Sequence, residues 1–215
     1  MRISDMHNHT LYSYDSVTRP EELAENALEH GLGRIGISDH QFTVRDDFFE
    51  YVSEINTLKR KYLGRTEIMC GLEIGTRPKP DDFLASCSSY LDYCLFESLD
   101  SERGMDFFEF IEWQKLFKCR KGLAHTDVFA LEKKYRTDIL KIMAENDIFW
   151  EINISGNYSC YYDFITNTEK QYRIAGSGVR ISIGSDNHRI SDFNMNKLIG
   201  IHKLVKNLGL HNEFD

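Results

Sequence analysis

Five of the eight histidines in the chain stand at or just beyond the ends of short apolar runs that have the composition of β-strands. They are His7, His9, His40, His125 and His188. Carboxylates occur near the same run ends, at Asp15, Asp39, Glu73, Asp127 and Asp186. Imidazole nitrogen and carboxylate oxygen suit Zn, Mn and Fe as ligands, and one carboxylate can bridge two cations. The residue types and their positions therefore predict a multinuclear metal centre.

The first two of these histidines have the clearest local geometry. His7 and His9 are two residues apart, so on an extended segment both imidazoles point to one side and can bind the same ion. Asp186 and His188 repeat this spacing after the last apolar run. Asp5 shares the face of the first pair, where its carboxylate could orient a ligand histidine through a hydrogen bond. A site built from both ends of the chain is therefore expected.

The chain alternates short runs rich in Ile, Val, Leu and Phe with longer segments whose apolar residues recur at helical spacing. This alternation is typical of parallel strands joined by helices. We expect strands over residues 2–6, 34–38, 67–73, 93–97, 122–124, 148–153 and 179–184. We expect helices over residues 20–30, 46–63, 80–89, 106–117, 137–145, 168–175 and 194–208. The carboxyl ends of parallel strands meet at one edge, which is where active sites of such folds lie.

The remaining histidines are interpreted as structural. His30 lies in the last turn of a predicted helix, and His202 and His211 lie in the C-terminal helix or the tail after it. No glycine-, serine- or proline-rich linker, charge block or internal repeat is present. Residues 1–215 are therefore expected to form one domain.

Composition narrows the classes of partner. Asp and Glu number 34 against 26 Lys and Arg, for a formal net charge of -8, which opposes binding to long nucleic acids and anionic membranes. No apolar run approaches the roughly 18 to 20 residues of a membrane helix, and the N-terminus lacks the apolar segment of a signal peptide. The five cysteines form an odd set without a CxxC pair, which argues against a disulfide framework and a zinc ribbon. We expect a soluble, cytoplasmic protein that acts on a small substrate.

Taken together, five short motifs resemble the PHP (polymerase and histidinol phosphatase) domain of metal-dependent phosphoesterases. They are MHNHT at 6–10, ISDH at 37–40, GLE at 71–73, AHTD at 124–127 and GSDNH at 184–188. The resemblance spans nearly the whole chain in the family's order. It implies an α/β fold, a distorted seven-stranded (β/α)7 barrel, with up to three metal ions at the C-terminal edge.

The resemblance also implies a ligand set for each ion. His7, His9, Glu73 and Asp186 would hold one ion, Glu73 and His125 a second, and His40 and His188 a third. Asp15 stands where the family has a histidine or aspartate in the loop after the first motif.

One position departs from the family's pattern. The family places a histidine after the fourth strand, and this chain reads Glu97-Ser98-Leu99-Asp100, which puts Asp100 at that position. A carboxylate there would favour Mn or Mg over Zn, or would leave the second site weak or empty. We therefore expect two to three divalent ions, which could be Mn, Zn, Fe or Mg.

The reaction that the resemblance implies is hydrolysis of a small phosphate monoester by a metal-activated water. Asp15, Asp186 and His188 are the predicted catalytic residues. An arginine guanidinium group can bind two phosphate oxygens at once. The arginines near the strand ends are therefore predicted to bind the substrate, together with one asparagine. They are Arg19, Arg77, Arg103, Arg189 and Asn153.

Three other functions are open at this stage. A nuclease acting on DNA ends would use the same chemistry, although the net charge disfavours a long polyanion. A metal-dependent amide or ring hydrolase also begins with HxH, but that family carries a bridging lysine after the fourth strand, where this chain has none. A non-catalytic metal-binding PHP barrel would keep the fold and lose the reaction.

Overall fold

A computed structural model describes residues 2–76 and 82–215 of the chain. Seven parallel strands form one sheet in which each strand pairs with the next along the chain. They are β1 (Ser4–Asp5), β2 (Arg34–Ile37), β3 (Glu67–Gly75), β4 (Tyr93–Glu97), β5 (Arg120–Leu123), β6 (Ile148–Asn153) and β7 (Ile181–Gly184). Every strand expected from the sequence is present, with ends displaced by up to two residues.

The sheet curls until its first and last strands meet. The Met6 backbone N–H donates to the Ile183 carbonyl at 2.8 Å, and the Asp186 N–H donates to the His7 carbonyl at 2.8 Å. A parallel bridge also joins Asn8 to Asn187. The strands therefore form a nearly closed, distorted (β/α)7 barrel, as predicted. The segment that carries His7 and His9 lies beside the segment that carries Asp186 and His188.

Helices connect the strands on the outside of the barrel. They are α1 (Pro20–Glu29), α2 (Gln41–Val44), α3 (Phe48–Lys61), α4 (Asp82–Cys87), α5 (Phe107–Trp113), α6 (Val128–Tyr135), α7 (Ile139–Glu145), α8 (Ser159–Thr166), α9 (Thr168–Ser177) and α10 (Met195–Asn207). The start of the predicted helix 80–89 lies outside the described residues. Three helices were missed, namely α2, α6 and α8. Of these, α6 carries a readable start signal, because the Asp127 carboxylate accepts hydrogen bonds from the Phe129 and Ala130 N–H groups.

Aromatic side chains fill the inside of the barrel where glycines make room for them. A Cβ atom at Gly36 would lie 2.2 Å from the Tyr93 hydroxyl, and one at Gly122 would lie 2.0 Å from the Phe149 ring. The Tyr93 hydroxyl donates to the Met6 carbonyl at 2.7 Å, across the barrel. The sheet can therefore enclose two large rings without displacing its backbone.

The C-terminal tail closes the end of the barrel at which the strands begin. The Glu213 N–H donates to the Ile181 carbonyl at 2.8 Å, which directs the Phe214 side chain inward. Phe214 is 3% exposed, and its ring centroid lies 5.4 Å from those of Tyr93 and Phe149. An aromatic plug therefore seals this end, which we call the plugged end.

Other sequence expectations can be placed on this fold. His202 lies 2.8 Å from the Ser4 carbonyl through Nε2, and His30 lies 2.9 Å from the Asn26 carbonyl through Nδ1, so both have structural partners. All five cysteines are free. Across residues 2–76 and 82–215, none of the helices has both the length and the apolar character needed to cross a bilayer.

Candidate metal centre

Eight of the nine predicted ligands, all except Asp100, lie together at the end of the barrel opposite the plug, where the strands end. Three groups of side chains each place their potential ligand atoms within 4.8 Å of one another. The first group is His7, His9 and Asp186; the second is His9, Asp15, His40 and His188; the third is His40, Glu73 and Glu97. His9 belongs to two groups and so does His40, so the groups form one continuous centre.

Glu151, on β6, fixes the orientation of His7. The His7 Nδ1 atom lies 2.7 Å from Glu151 Oε1, and because a carboxylate only accepts, Nδ1–H donates. This leaves Nε2 directed at the centre, 3.0 Å from His9 Nε2 and 3.3 Å from Glu73 Oε1. Two imidazole nitrogens cannot face each other at this distance unless a proton or a cation lies between them.

A relay of hydrogen bonds fixes His9 in the same way. The Ser13 hydroxyl donates to Asp39 Oδ1 at 2.7 Å, so its oxygen accepts from His9 Nδ1–H at 3.0 Å. Asp39 is itself held by the Thr10 N–H at 2.6 Å and the Thr10 hydroxyl at 2.7 Å. The His9 Nε2 lone pair therefore points at Asp186 Oδ1, 3.3 Å away. Such outer contacts set the tautomer of metal-binding histidines.

Glu73 is the carboxylate at the middle of the centre. Its Oε1 lies 2.9 Å from His125 Nε2, and its Oε2 lies 2.9 Å from His40 Nδ1. The residue is 2% exposed. A buried carboxylate whose two oxygens face different imidazoles has the geometry needed to bridge two cations.

Two strand-end residues of the centre adopt backbone angles that are uncommon outside glycine. His125 has φ 32° and Asp186 has φ 56°. The His125 N–H donates to Glu151 Oε2 at 2.9 Å, and the Tyr158 ring lies parallel to the His125 imidazole at a centroid distance of 4.0 Å. These contacts hold the strained segment in place, and such strain is typical of functional sites.

The charges of the centre favour a cation. Burial opposes the charged form of His7, but the Glu151 and Glu73 carboxylates outweigh it and raise the pKa of His7 well above its usual value. Burial opposes ionisation of Asp186, yet the neighbouring His7 and His9 imidazoles lower the pKa of Asp186 to about 2. Burial alone dominates at His9 and lowers its pKa. Asp186 is thus ionised at neutral pH, as a metal-binding carboxylate must be.

Asp15 closes the solvent side of the centre. Its Oδ2 atom lies 3.3 Å from His40 Nε2 and 3.2 Å from His188 Nε2. His188 Nδ1 faces the Asp186 carbonyl at 3.0 Å, so Nε2 of His188 is directed at the centre. Four residues predicted from separate motifs therefore meet in the second group.

A family model described as the PHP domain matches residues 5–136, which is more than half of the chain. The chain belongs to the PHP domain family. The histidinol-phosphatase of Lactococcus lactis subsp. lactis (strain IL1403) is 23% identical over 266 residues, covering 98% of this chain and 93% of that protein. A "Probable histidinol-phosphatase" of Deinococcus radiodurans is 26% identical over 101 residues, covering 42% of this chain and 39% of that protein.

A solved structure supports the fold. The crystal structure of the Lactococcus lactis histidinol phosphate phosphatase, complexed with zinc, L-histidinol and phosphate, matches with a TM-score of 0.71 at 20% identity. The match covers 98% of this chain and 95% of that one. The prediction of a histidinol-phosphatase-like PHP hydrolase is therefore confirmed.

Asp100, which the family's motif suggests as a metal ligand, lies away from the three groups of this PHP barrel, and Glu97 lies within one of them. The Asp100 carboxylate accepts a hydrogen bond from the Asp127 N–H at 2.9 Å, and within the described residues it joins none of the three groups. Glu97, the last residue of β4, lies in the third group instead. The family's motif directs attention to Asp100, although the position of Glu97 at the end of a predicted strand is a signal that the sequence itself carries.

The predicted substrate-binding residues are dispersed. Arg103 lines a cavity of about 300 Å³ together with His40 and Glu97. Arg19 and Arg189 are exposed. Asn153 is buried, and its amide donates to Glu151 Oε2 at 3.2 Å and Asp186 Oδ2 at 3.4 Å, which gives it a positioning role. Arg77 lies outside the described residues.

Cavities at the two ends of the barrel differ in chemistry. A second cavity of about 340 Å³ adjoins Asp186 and His188, and Lys197 lines it. The larger cavity of about 550 Å³ lies at the plugged end, between Arg2 and Met69. Among the described residues, none that lines this larger cavity belongs to a group that could hold a metal ion. The two smaller cavities beside the metal centre are therefore the candidate substrate sites.

Proposed function

We propose that the chain hydrolyses a small phosphate monoester at this centre. The observation that carries the proposal is the pair of imidazole nitrogens, His7 Nε2 and His9 Nε2, that face each other at 3.0 Å beside ionised carboxylates. The zinc, L-histidinol and phosphate bound by the Lactococcus lactis protein support a small phosphorylated substrate. We further propose that residues 1–215 act as one domain in the cytoplasm.

The residues fit two to three divalent cations. His7, His9, Glu73 and Asp186 would hold one ion, Glu73 and His125 would contact a second, and Asp15, His40 and His188 would hold a third. When bound, such cations lower the pKa of a water molecule and neutralise charge on the phosphoryl oxygens during in-line attack. A side-chain nucleophile is not required.

The surrounding residues then have separate tasks. Glu151, Ser13 and Asp39 keep both histidines in the tautomer that directs Nε2 inward. Asp15 and Asp186 would accept hydrogen bonds from the attacking water. Arg103 lies on the open side, where its guanidinium would attract the phosphate dianion.

The test is hydrolysis of an aryl phosphate and of L-histidinol phosphate by chelator-treated protein to which Mn, Zn, Fe or Mg is returned. We expect less than a hundredth of the activity without metal and recovery with at least one of the ions. Asp186→Asn is the matched variant, because it keeps the side-chain shape and removes the charge. Full activity after chelation, or hydrolysis of DNA ends in preference to both monoesters, would contradict the proposal.

A further inference from the structure

Three neighbouring strands deliver the members of the third group. His40 follows β2, Glu73 lies in β3 and Glu97 ends β4. A parallel bridge pairs His40 with Glu73, and Glu97 pairs with Gly75, two residues beyond Glu73. Backbone pairing therefore fixes the positions from which the three side chains approach one another, and their ligand atoms lie within 4.8 Å.

Within the described residues, the two carboxylates of the third group lack a lysine or arginine to balance their negative charge. Glu73 is 2% exposed, and Glu97 is half-buried beside it, so two carboxylates repel each other in a region with little water. His40 Nδ1 is buried without a hydrogen-bond partner and lies 2.9 Å from Glu73 Oε2. Throughout residues 2–76 and 82–215, no lysine or arginine lies within ion-pair distance of Glu97, whose hydrogen-bond donor is the Ser98 hydroxyl at 3.3 Å.

Asp100 is committed elsewhere. Its Oδ2 accepts from the Asp127 N–H at 2.9 Å, directly before α6. Asp127 in turn caps α6, whose start follows the His125 segment. The carboxylate of Asp100 therefore stabilises the loop that carries His125, and its contact is to backbone.

We propose that Glu97 is a metal ligand, and that Glu73, Glu97 and His40 hold a divalent cation at the side of the centre facing the cavity that Arg103 lines. His40 would bind this cation through Nδ1 in place of the ion beside Asp15 and His188, because a neutral imidazole has only one lone pair to offer. The inference rests on the proposed function in one respect, since both require a metal centre. It adds a ligand and assigns that ligand to a residue three positions before the one at which the family motif would put it.

The donor set predicts which ion the third group prefers. One imidazole and two carboxylates form a harder site than the first group, which has two imidazoles and one carboxylate. Mn²⁺ should therefore compete better against Zn²⁺ in the third group than in the first. The adjoining cavity of about 300 Å³ leaves room for water or a phosphate oxygen to complete the coordination.

The experiment measures metal binding directly. Metal-free full-length protein is titrated with Mn²⁺, and free Mn²⁺ is followed by electron paramagnetic resonance. Glu97→Gln keeps the side-chain volume and removes the charge, so we expect it to bind roughly one equivalent less than the wild type. Asp100→Asn is the matched control, because its amide oxygen still accepts from the Asp127 N–H, and we expect unchanged stoichiometry.

A second variant covers the case in which Glu97→Gln folds poorly. Glu97→His supplies an imidazole in place of the carboxylate, so the equivalent should be retained while the ratio of Zn²⁺ to Mn²⁺ affinity at that site rises at least about tenfold. Circular dichroism of the metal-free variants checks the fold.

Each outcome decides the question. Unchanged Mn²⁺ stoichiometry and affinity in Glu97→Gln would overturn the assignment, and loss of an equivalent in Asp100→Asn instead would place the ligand at Asp100. If the wild type binds no metal, the proposed function fails as well. If the wild type binds metal and hydrolyses monoesters while Glu97→Gln retains every equivalent, the proposed function stands and this inference alone fails.

Discussion

Both ends of the barrel contain buried side chains, but these side chains are apolar at one end and ionisable at the other. At the plugged end, Phe214 packs between Tyr93 and Phe149, and its burial is favourable by itself because apolar surface leaves water. At the metal end, His7 is fully buried and Glu73 is 2% exposed, and burying such groups costs free energy unless a charge compensates.

The difference separates stability from reactivity. Side chains at the plugged end pack together as an apolar cluster, and none of them belongs to a ligand group formed by the described residues. Side chains at the metal end hold each other in a geometry that is electrostatically favourable only around a positive charge. Changes at one end should therefore move the free energy of unfolding, and changes at the other should move metal binding and rate.

The largest effect is expected from a ligand of the first group. Asp186→Ala removes a carboxylate that lies 3.3 Å from His9 Nε2, so kcat with an aryl phosphate should fall on the order of a thousandfold. His9→Ala should behave alike. In chelator, either variant should keep the circular dichroism spectrum of the wild type, because the barrel is held by its apolar core.

The control for this prediction is Glu169→Ala, at an exposed position on α9, which should keep the full rate. Loss of the circular dichroism spectrum in Asp186→Ala would show that the ligand carries the fold, and an undiminished rate would remove it from the centre.

The next effect belongs to the plugged end. Phe214→Ala leaves a cavity between two aromatic rings, so the free energy of unfolding should fall by about 3 to 5 kcal/mol. At a temperature where the variant is folded, kcat should stay within about twofold of the wild-type value, because Phe214 packs on Tyr93 and Phe149 at the end opposite the metal centre. Chemical denaturation and steady-state kinetics measure the two quantities. Phe108→Ala, at a ring that is 49% exposed, is the control and should cost less than about 1 kcal/mol.

A smaller effect should come from the relay behind His9. Ser13→Ala removes the oxygen that accepts from His9 Nδ1, so His9 can adopt the other tautomer and metal affinity should fall about 10- to 100-fold. Competition with a chromophoric chelator measures the affinity. Ser86→Ala, at an exposed position on α4, should leave it unchanged, and equal affinity in both variants would mean that the relay does not orient the ligand.

Features set by local periodicity could be predicted from the sequence. All seven strands were expected, because each is a short apolar run, and His7 with His9 follows from the two-residue repeat of an extended chain. The closing of β1 on β7 brought Asp186 to them as the PHP resemblance implied.

Features set by long-range contacts could not be predicted in this way. Glu151 orients His7 from 144 residues away, and no local pattern marks it as a partner. The Phe214 plug depends on the pairing of the tail with β7, which no local pattern marks. Glu97 and Asp100 both carry carboxylates at or just after the end of the same strand. Only the folded structure shows that Glu97, and not Asp100, faces Glu73.

The smallest effect is a pH dependence of stability away from the metal centre. His202, on α10, is buried against Ser4, and burial lowers its pKa below the usual value in spite of the hydrogen bond with the Ser4 backbone. The unfolded chain therefore takes up a proton near pH 6.5 while the folded protein resists, so stability is full above about pH 6.5 and falls as the pH drops below it. For one proton the slope cannot exceed about 1.4 kcal/mol per pH unit. His202→Gln removes the titrating group, so between pH 7.5 and 5.5 its free energy of unfolding, measured in chelator, should fall less than that of the wild type. His211→Gln, at an exposed position in the tail, should follow the wild type, and identical pH profiles for all three proteins would show that His202 titrates alike in the folded and unfolded states.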